Sequence, residues 1–335
     1  MIVRTRVHAR AGLVGNPSDG FHGKTIAFTF RNFWADVVLY ESPELEFRPN
    51  QQDGTTFESV QDLLTSVRRT GYYGGVRLMK AAVKRFAEYC LEKGVELPNR
   101  NFTIRYETNI PRQLGLGGSS AIITAAVKAL MAFYGVDIPP HVLPNVVLSA
   151  ETHELGLTAG LQDRVIQVYD GLVYMDFDEA FMMHNGCGRY ERLDHATLPP
   201  LYVACRRELS EESSRAHLRV RELYDLGDKK VIRTMHEIGS LADEVREVLR
   251  NGRGADLHAL LDRNFDLRAA IYPISAQNVR MVSSARETGA SCKFCGSGGS
   301  VVGTYEGEET LAALRKVMEQ EGYELVLPEV VTPSH

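Results

Sequence analysis

The sequence has few cysteines, a single tryptophan and no long hydrophobic run. Its five cysteines among 335 residues are an odd and sparse set, which favours a reducing cytoplasm over a disulfide-stabilised secreted domain. No apolar stretch approaches the ~20 residues that span a bilayer, and the first ten residues lack the apolar core of a signal peptide. We therefore expect a cytoplasmic protein with no membrane partner.

A strong charge of one sign is also lacking. The chain carries 43 acidic and 38 basic residues, for a formal net charge of −5, and no basic run or stripe appears. This balance argues against a nucleic-acid partner. A polyanionic substrate would have to be bound by a local cluster of donors. The sequence leaves the oligomeric state open.

The length and the order of the elements indicate an α+β protein with two lobes. A single core rarely grows to 335 residues, and we place the lobes at residues 1–180 and 181–335. Short runs of β-branched and aromatic residues predict strands through residue 50, interrupted by a loop at 12–23. Further patterns predict helices at 57–69, 75–94, 121–135, 141–156, 161–171 and 309–321, a mainly helical region at 210–287, and strands at 101–110, 172–177, 201–206, 291–305 (with a glycine turn) and 324–330.

The segment PRQLGLGGSSA, residues 111–121, joins a predicted strand to a predicted helix. Glycines allow a ligand to approach the main chain, and a helix N-terminus offers N–H groups to an anion. The segment matches neither GxGxxG nor the Walker pattern, because position 120 is serine and no lysine follows. On its residues alone a tight turn remains the alternative to a phosphate-binding loop, which would comprise Gly115, Leu116, Gly117, Gly118, Ser119, Ser120 and Ala121.

Three motifs together resemble the GHMP family of small-molecule kinases. They are RAGLVGNPSD (10–19), PRQLGLGGSSA (111–121) and KFCGSGGSVVG (293–303), and they occur in the family's order along nearly the whole chain. The resemblance implies a two-lobed fold, with an N-terminal lobe like domain 2 of ribosomal protein S5 and a ferredoxin-like C-terminal α/β lobe. It also implies an enzyme that uses ATP and Mg²⁺.

Further stretches, including GNPSDGFHGKTI, GYYGGVRL, AGLQDRV and NFDLR, resemble the glucuronokinase branch of that family. This implies phosphorylation of the anomeric hydroxyl of D-glucuronate, giving glucuronate 1-phosphate and ADP. Two alternatives stay open: the same fold acting on another hexose, heptose or uronic acid, and a non-catalytic sugar sensor. A nicotinamide-dependent dehydrogenase is disfavoured because its glycine fingerprint is missing.

The resemblance also assigns the catalytic residues. Asp163 would accept or orient the proton of the acceptor hydroxyl, and Arg10 would lie near it and counter the charge of the transferring phosphoryl group. The family's metal-binding glutamate lies twelve residues before its catalytic aspartate, which selects Glu151 as the Mg²⁺ ligand; on the residues alone, both Glu151 and Glu154 could be surface carboxylates. Because Gly118 adds one residue to the family pattern, the metal-binding hydroxyl is Ser120 or Ser119, and aligning the helix start favours Ser120.

The substrate side is less determined. Asp19 would contact sugar hydroxyls, and Gly298 lies in a turn that would brace the phosphate loop. A glucuronate carboxylate calls for arginine donors, and the residues alone do not choose among them. The candidate substrate-binding residues are Asp19, Arg164, Arg112, Tyr72 and Gly298, with Arg31 and Arg206 as further possible partners of the carboxylate.

Overall fold

The chain forms two compact units, each assembled from several segments. The computed structural model describes residues 1–50, 53, 58–61, 63–64, 74–206 and 213–333. The first unit comprises Met1–Ala9, Phe33–Ile110 and Gly117–Val168, and the second comprises Arg10–Asn32, Pro111–Leu116 and Tyr169–His335. The lobes expected at 1–180 and 181–335 are contiguous segments, and that division stays a prediction.

The first fifty residues are mainly β-structure, as predicted, although the runs KTIAFTF and ADVVLY belong to one continuous strand. Strand β1 is Ile2–Val14, β2 is Lys24–Glu41 and β3 is Glu46–Arg48. The loop expected at 12–23 begins later than predicted, because Leu13 and Val14 are completely buried and continue β1. A short 3₁₀ helix, Ser18–Phe21, then leads to β2.

The first unit packs helices against strands of the N-terminal half. The second half of β2 pairs antiparallel with β4, from Ala35 opposite Thr108 to Glu41 opposite Phe102, and β3 runs parallel to β4. Helix α2 is predominantly apolar, and most of its residues are buried. The elements are β4 (Phe102–Thr108), α1 (Gly75–Glu92), α2 (Gly118–Tyr134), α3 (Leu143–Ser149), a π-helical turn (Ala150–Glu154) and α4 (Leu161–Tyr169). These agree with the predicted elements, apart from the helix expected at 57–69, most of which lies outside the described residues.

The second unit contains the first half of β2 and a four-stranded sheet. Lys24–Phe28 pairs with β5, which pairs with β6, and the other sheet has the order β10-β7-β9-β8. The strand, glycine turn and strand predicted at 291–305 are confirmed as the antiparallel pair β8 and β9. The strands are β5 (Leu172–Asp176), β6 (Arg189–Leu193), β7 (Leu201–Arg206), β8 (Lys293–Phe294), β9 (Ser300–Thr304) and β10 (Tyr323–Val326).

The helices of the second unit lie mainly in the region predicted to be helical. They are α5 (Glu179–Asn185), α6 (Ser213–Asp225), α7 (Lys229–Arg250), α8 (Leu257–Ala269), α9 (Ala276–Arg286) and α10 (Gly307–Gln320). Helix α5 and strand β6 were not predicted, because their mixed polar sequences show no clear period. The α+β class is confirmed. Within the part of the chain that the structure describes, no helix has the length and apolarity to cross a membrane.

Candidate active site

The first unit holds the second half of the glycine-rich loop, at the start of α2. Gly117 precedes the helix with φ of 74°, a left-handed conformation that glycine adopts without strain. Its carbonyl accepts hydrogen bonds from Ala121 N at 3.0 Å, Ser120 Oγ at 3.0 Å and Gln167 Nε2 at 2.8 Å. The first N–H groups of a helix have no acceptor within the helix. The start of α2 therefore has the form of an anion site.

The two serines of the loop have different surroundings. Ser119 Oγ donates to Glu151 Oε1 at 2.7 Å. Ser120 is completely buried, and its hydroxyl donates to the Gly117 carbonyl. Aligning the helix start favours Ser120 as the metal ligand, but it is Ser119 whose oxygen lies beside the candidate carboxylate.

Glu151 and Glu154 differ in burial and in their hydrogen-bond partners. Glu151 lies in the π-helical turn that follows α3 and is only 1 % exposed. Such turns are frequently found at functional sites. Glu154 instead accepts from Lys84 Nζ at 2.5 Å, a lysine whose side chain is 57 % exposed. Glu154, whose own side chain is 16 % exposed, is thus paired with a surface lysine, and this geometry agrees with Glu151 as the candidate metal ligand.

Asp163 lies in the first turn of α4, where the helix dipole favours a negative charge. The next residue, Arg164, is buried, and its Nε donates to Glu151 Oε2 at 2.7 Å while its Nη2 donates to the same oxygen. Its Nη1 donates to the Gly160 carbonyl at 2.8 Å and lies 3.7 Å from Asp163 Oδ2. Asp163, Arg164, Glu151 and Ser119 thus form a continuous polar network inside the first unit.

The second unit holds the other half of the glycine-rich loop together with the third motif. A Cβ at Gly115 would lie 3.0 Å from Ser297 N, and a Cβ at Gly296 would lie 2.5 Å from the Gly115 carbonyl. Ser300 Oγ also donates to the carbonyl of Leu114 at 2.5 Å. The third motif therefore packs directly against residues 114–115, which leaves no room for side chains at these glycines.

Two buried arginines hold this contact together. Arg10 donates to the carbonyls of Gly115 at 2.5 Å and Cys295 at 3.1 Å. Arg268 donates to the carbonyls of Gly296 at 2.7 Å and Ser297 at 3.1 Å. Burial lowers the pKa of Arg268 to about 10. Sequence reasoning missed Arg268, although it ends the NFDLR stretch; the expected proximity of Arg10 to Asp163 stays a prediction.

Lys293 is a third buried cation in the second unit. Its Nζ donates to the Gly12 carbonyl at 2.6 Å and also to Asn16 Oδ1. Burial lowers the pKa of Lys293 to about 7, and the positive charges of Arg268 and Arg10 act in the same direction. The lysine therefore joins the first and third motifs. A single lysine in a strand gives no sign of this in the sequence.

The predicted substrate residues are placed as follows. Asp19 lies in the 3₁₀ helix Ser18–Phe21, and its charge acts on both Arg268 and Tyr272. Gly298 has φ of 138°, and a Cβ there would lie 3.1 Å from Asn278 Nδ2. Tyr72, and Tyr73 beside it, lie outside the described residues.

The arginines proposed for a substrate carboxylate differ in burial. Arg206 is buried and donates to Asn278 Oδ1 at 2.6 Å, and Arg164 is engaged with Glu151 as described above. Arg31 is exposed, and Arg112 is half-buried in the turn after Ile110. The two exposed or half-buried arginines are thus better placed to receive a ligand than the two buried ones.

The oxygen donors of the first unit fit a magnesium ion. Across the described ranges, no three His, Cys, Asp or Glu side chains gather closely enough to hold a metal by themselves. Mg²⁺ is commonly bound by one or two carboxylates, with substrate phosphates and waters as its other ligands. Glu151 Oε1 and Ser119 Oγ, hydrogen-bonded to each other at the start of α2, supply two hard oxygens of that kind.

Comparison with known proteins identifies the relatives of this chain. Residues 77–171 match the model of the GHMP kinases N terminal domain. The chain is 44 % identical to glucuronokinase 1 of Arabidopsis thaliana, covering 99 % of this chain and 93 % of the relative. It is 46 % identical to probable glucuronokinase 2 of the same plant, covering 89 % and 82 %. The fold matches Lactococcus lactis galactokinase in complex with galactose, with a TM-score of 0.73 at 14 % identity over 100 % of this chain and 95 % of that one. With full-length relatives at this identity and the glycine-rich loop at the start of a buried helix, the chain belongs to the GHMP kinase family.

Proposed function

We propose that this chain transfers the γ-phosphoryl group of ATP to the anomeric hydroxyl of D-glucuronate, giving glucuronate 1-phosphate and ADP. The choice of substrate rests on the two glucuronokinases, which are 44–46 % identical over most of the chain. The observation that supports the transfer chemistry is the hydrogen bond of Ser119 to Glu151 at the first turn of α2. It places a hydroxyl and a carboxylate beside a helix N-terminus.

The nucleotide side follows from the start of α2. The N–H groups there bind phosphate oxygens. The Gly117 carbonyl accepts three hydrogen bonds inside the unit, so its partial negative charge is compensated and does not repel a phosphate. Ser119 and Glu151 would hold Mg²⁺. An ion held by these two side chains would supply positive charge to neutralise the nucleotide phosphates.

The acceptor side depends on Asp163. Its side chain is 20 % exposed, so it is open to a ligand while the helix dipole stabilises its ionised form. In this proposal the carboxylate accepts the proton of the anomeric hydroxyl as the oxygen attacks the γ-phosphorus. Phosphoryl transfer otherwise depends mainly on positioning.

Roles for residues of the second unit complete the proposal. Arg10 counters negative charge on the transferring group, Asp19 accepts hydrogen bonds from sugar hydroxyls, and the Gly298 turn supports the loop. Arg112, which is half-buried, is the proposed partner of the C6 carboxylate. A reducing cytoplasm remains the proposed compartment, since all five cysteines are free thiols.

A coupled ADP-release assay over a panel of sugars tests the proposal. We expect kcat/KM for glucuronate to exceed that for glucose by at least ~10²-fold, because a site that pairs a carboxylate leaves a cation unpaired with the neutral sugar. Galacturonate, which keeps the carboxylate and inverts C4, should fall between the two.

Two results would count against the assignment. Equal use of glucose and glucuronate would exclude a carboxylate-binding site while leaving a sugar kinase. ADP release with none of the hexoses, heptoses and uronic acids in the panel would overturn the kinase reaction itself and favour a sugar sensor.

A further inference from the structure

Arg164 directly follows Asp163 in α4, and its guanidinium is engaged inside the first unit. Nε and Nη2 donate to Glu151 Oε2, and Nη1 donates to the Gly160 carbonyl at 2.8 Å. The side chain is 5 % exposed. A guanidinium bound in this way has no outward fork for a substrate carboxylate.

The two oxygens of Glu151 are divided between two partners. Oε2 accepts from Arg164 and Oε1 accepts from Ser119 at 2.7 Å. Two N–H groups of Arg164 converge on Oε2 and compensate its charge, and the separate hydrogen bond of Ser119 to Oε1 then fixes the orientation of the carboxylate. Because Glu151 is 1 % exposed, this compensation also offsets the large desolvation cost of a buried carboxylate.

We propose that Arg164 is a positioning residue: it fixes the orientation of the Glu151 carboxylate, so that Oε1 faces Ser119 before Mg²⁺ and nucleotide bind. A neutral amide at this position would hydrogen-bond the carboxylate without balancing its charge. Nη1, 3.7 Å from Asp163 Oδ2, extends the same electrostatic link to the proposed proton acceptor. This inference rests on the proposed function for the roles of Glu151 and Asp163.

The first experiment is a double-mutant cycle of Arg164→Gln and Glu151→Gln. Arg164→Gln should lower kcat by about 10-fold or more, with the KM for glucuronate changed by less than about twofold. If Arg164 acts through Glu151, the double variant should turn over no more slowly than Glu151→Gln alone. The preference for glucuronate over glucose should be unchanged.

A second measurement does not depend on turnover. Calorimetric titration of ADP, with and without Mg²⁺, gives the factor by which Mg²⁺ strengthens nucleotide binding. Arg164→Gln should reduce that factor about 10-fold while leaving the affinity for ADP alone unchanged, since the loop N–H groups stay in place. Arg164→Lys keeps the charge but loses the fork, and it should reduce the factor to an intermediate extent. The lysine variant replaces the glutamine variant in this test if Arg164→Gln does not fold.

Lys84→Gln is the matched control. It removes the exposed partner of Glu154 at the other end of the same π-helical turn, and it should change neither kcat nor the effect of Mg²⁺.

The proposal is overturned if Arg164→Gln raises the KM for glucuronate without lowering kcat, or if the two substitutions multiply in kcat, or if Mg²⁺ strengthens ADP binding as much as in the wild type. If the wild type phosphorylates no sugar, the proposed function fails. The Mg²⁺ and ADP titrations still decide the role of Arg164.

Discussion

Removing the buried charge of Lys293 should change how stability depends on pH. The ammonium is 1 % exposed and donates to the Gly12 carbonyl and to Asn16 Oδ1, and burial lowers its pKa from 10.5 to about 7. Between these values the unfolded chain keeps a proton that the folded chain has lost. Because the unfolded state binds more protons, the free energy of unfolding must rise with pH in this window.

The size of the effect follows from that shift. Each pKa unit corresponds to about 1.4 kcal/mol, and integration from pH ~7 to pH ~8.5 for a group with a folded pKa near 7 gives about 1.5 kcal/mol. The window ends there because burial raises the pKa of the Cys292 thiol to about 12 and that of Cys295 to about 11. These thiols contribute stability below the unfolded cysteine pKa, and it is lost at higher pH, so their effect has the opposite sign.

Urea unfolding of the wild type and of Lys293→Met at several pH values measures this difference. Methionine has a similar length and no charge. Between pH ~7 and pH ~8.5 the free energy of unfolding of the wild type should therefore increase by about 1.5 kcal/mol more than that of the variant. Groups common to both proteins cancel in the comparison. Lys316→Met, which removes an exposed lysine of α10, should follow the wild type. If the Lys293→Met curve runs parallel to the wild type, the ammonium is not desolvated and the reasoning is wrong.

Three further predictions follow from the candidate site and its surroundings. Asp163→Asn should keep the nucleotide affinity and the unfolding temperature of the wild type but lower kcat by about 10²-fold or more. ADP-release kinetics and a nucleotide titration measure these quantities. A variant with the kcat of the wild type would show that Asp163 does not accept the proton. Gly296→Ala would place a Cβ 2.5 Å from the Gly115 carbonyl. The resulting displacement of the glycine-rich loop should lower kcat/KM by about 10²-fold, and unaltered kinetics would show that the loop accommodates the methyl group without being displaced. A thiol reagent should modify the half-buried Cys187 in the folded protein, whereas the four buried cysteines should react only after unfolding: Cys90, Cys205, Cys292 and Cys295. Reaction of any of these four in the native state would contradict the packing.

Much of the architecture was accessible from the sequence because its signals are local. The alternation of β1 and β2, the apolar α2 and the glycine turn before β9 each depend on neighbouring residues, and all agree with the structure. The spacing that favours Glu151 over Glu154 agrees with the pairing of Glu154 with Lys84.

The choice between Ser119 and Ser120 was not accessible in the same way. Successive helical residues point about 100° apart, so the hydroxyl that meets Glu151 depends on the phase of α2 relative to a turn 32 residues further along the chain. The extra Gly118 shifts that phase, and the phase cannot be read from the sequence motif.

The polar residues of the interior were hidden for another reason. Arg164, Gln167, Arg268 and Lys293 are all buried, yet charged and amide side chains are mostly found on surfaces. Their burial depends on backbone carbonyls and on a carboxylate supplied by distant segments. A single sequence shows the residue type at each position but not the partner that makes its burial favourable.

The π-helical turn at Ala150–Glu154 makes chain length in this segment as important as residue type. A π turn closes its hydrogen bond one residue later than an α turn. Deleting one residue, for example Thr152, would return the segment to α-helix and turn Glu151 by about 100° relative to the chain that carries Arg164. During evolution, substitutions on the exposed side of this turn should therefore be tolerated. A one-residue deletion in a relative, by contrast, should change the orientation of the carboxylate at the position of Glu151.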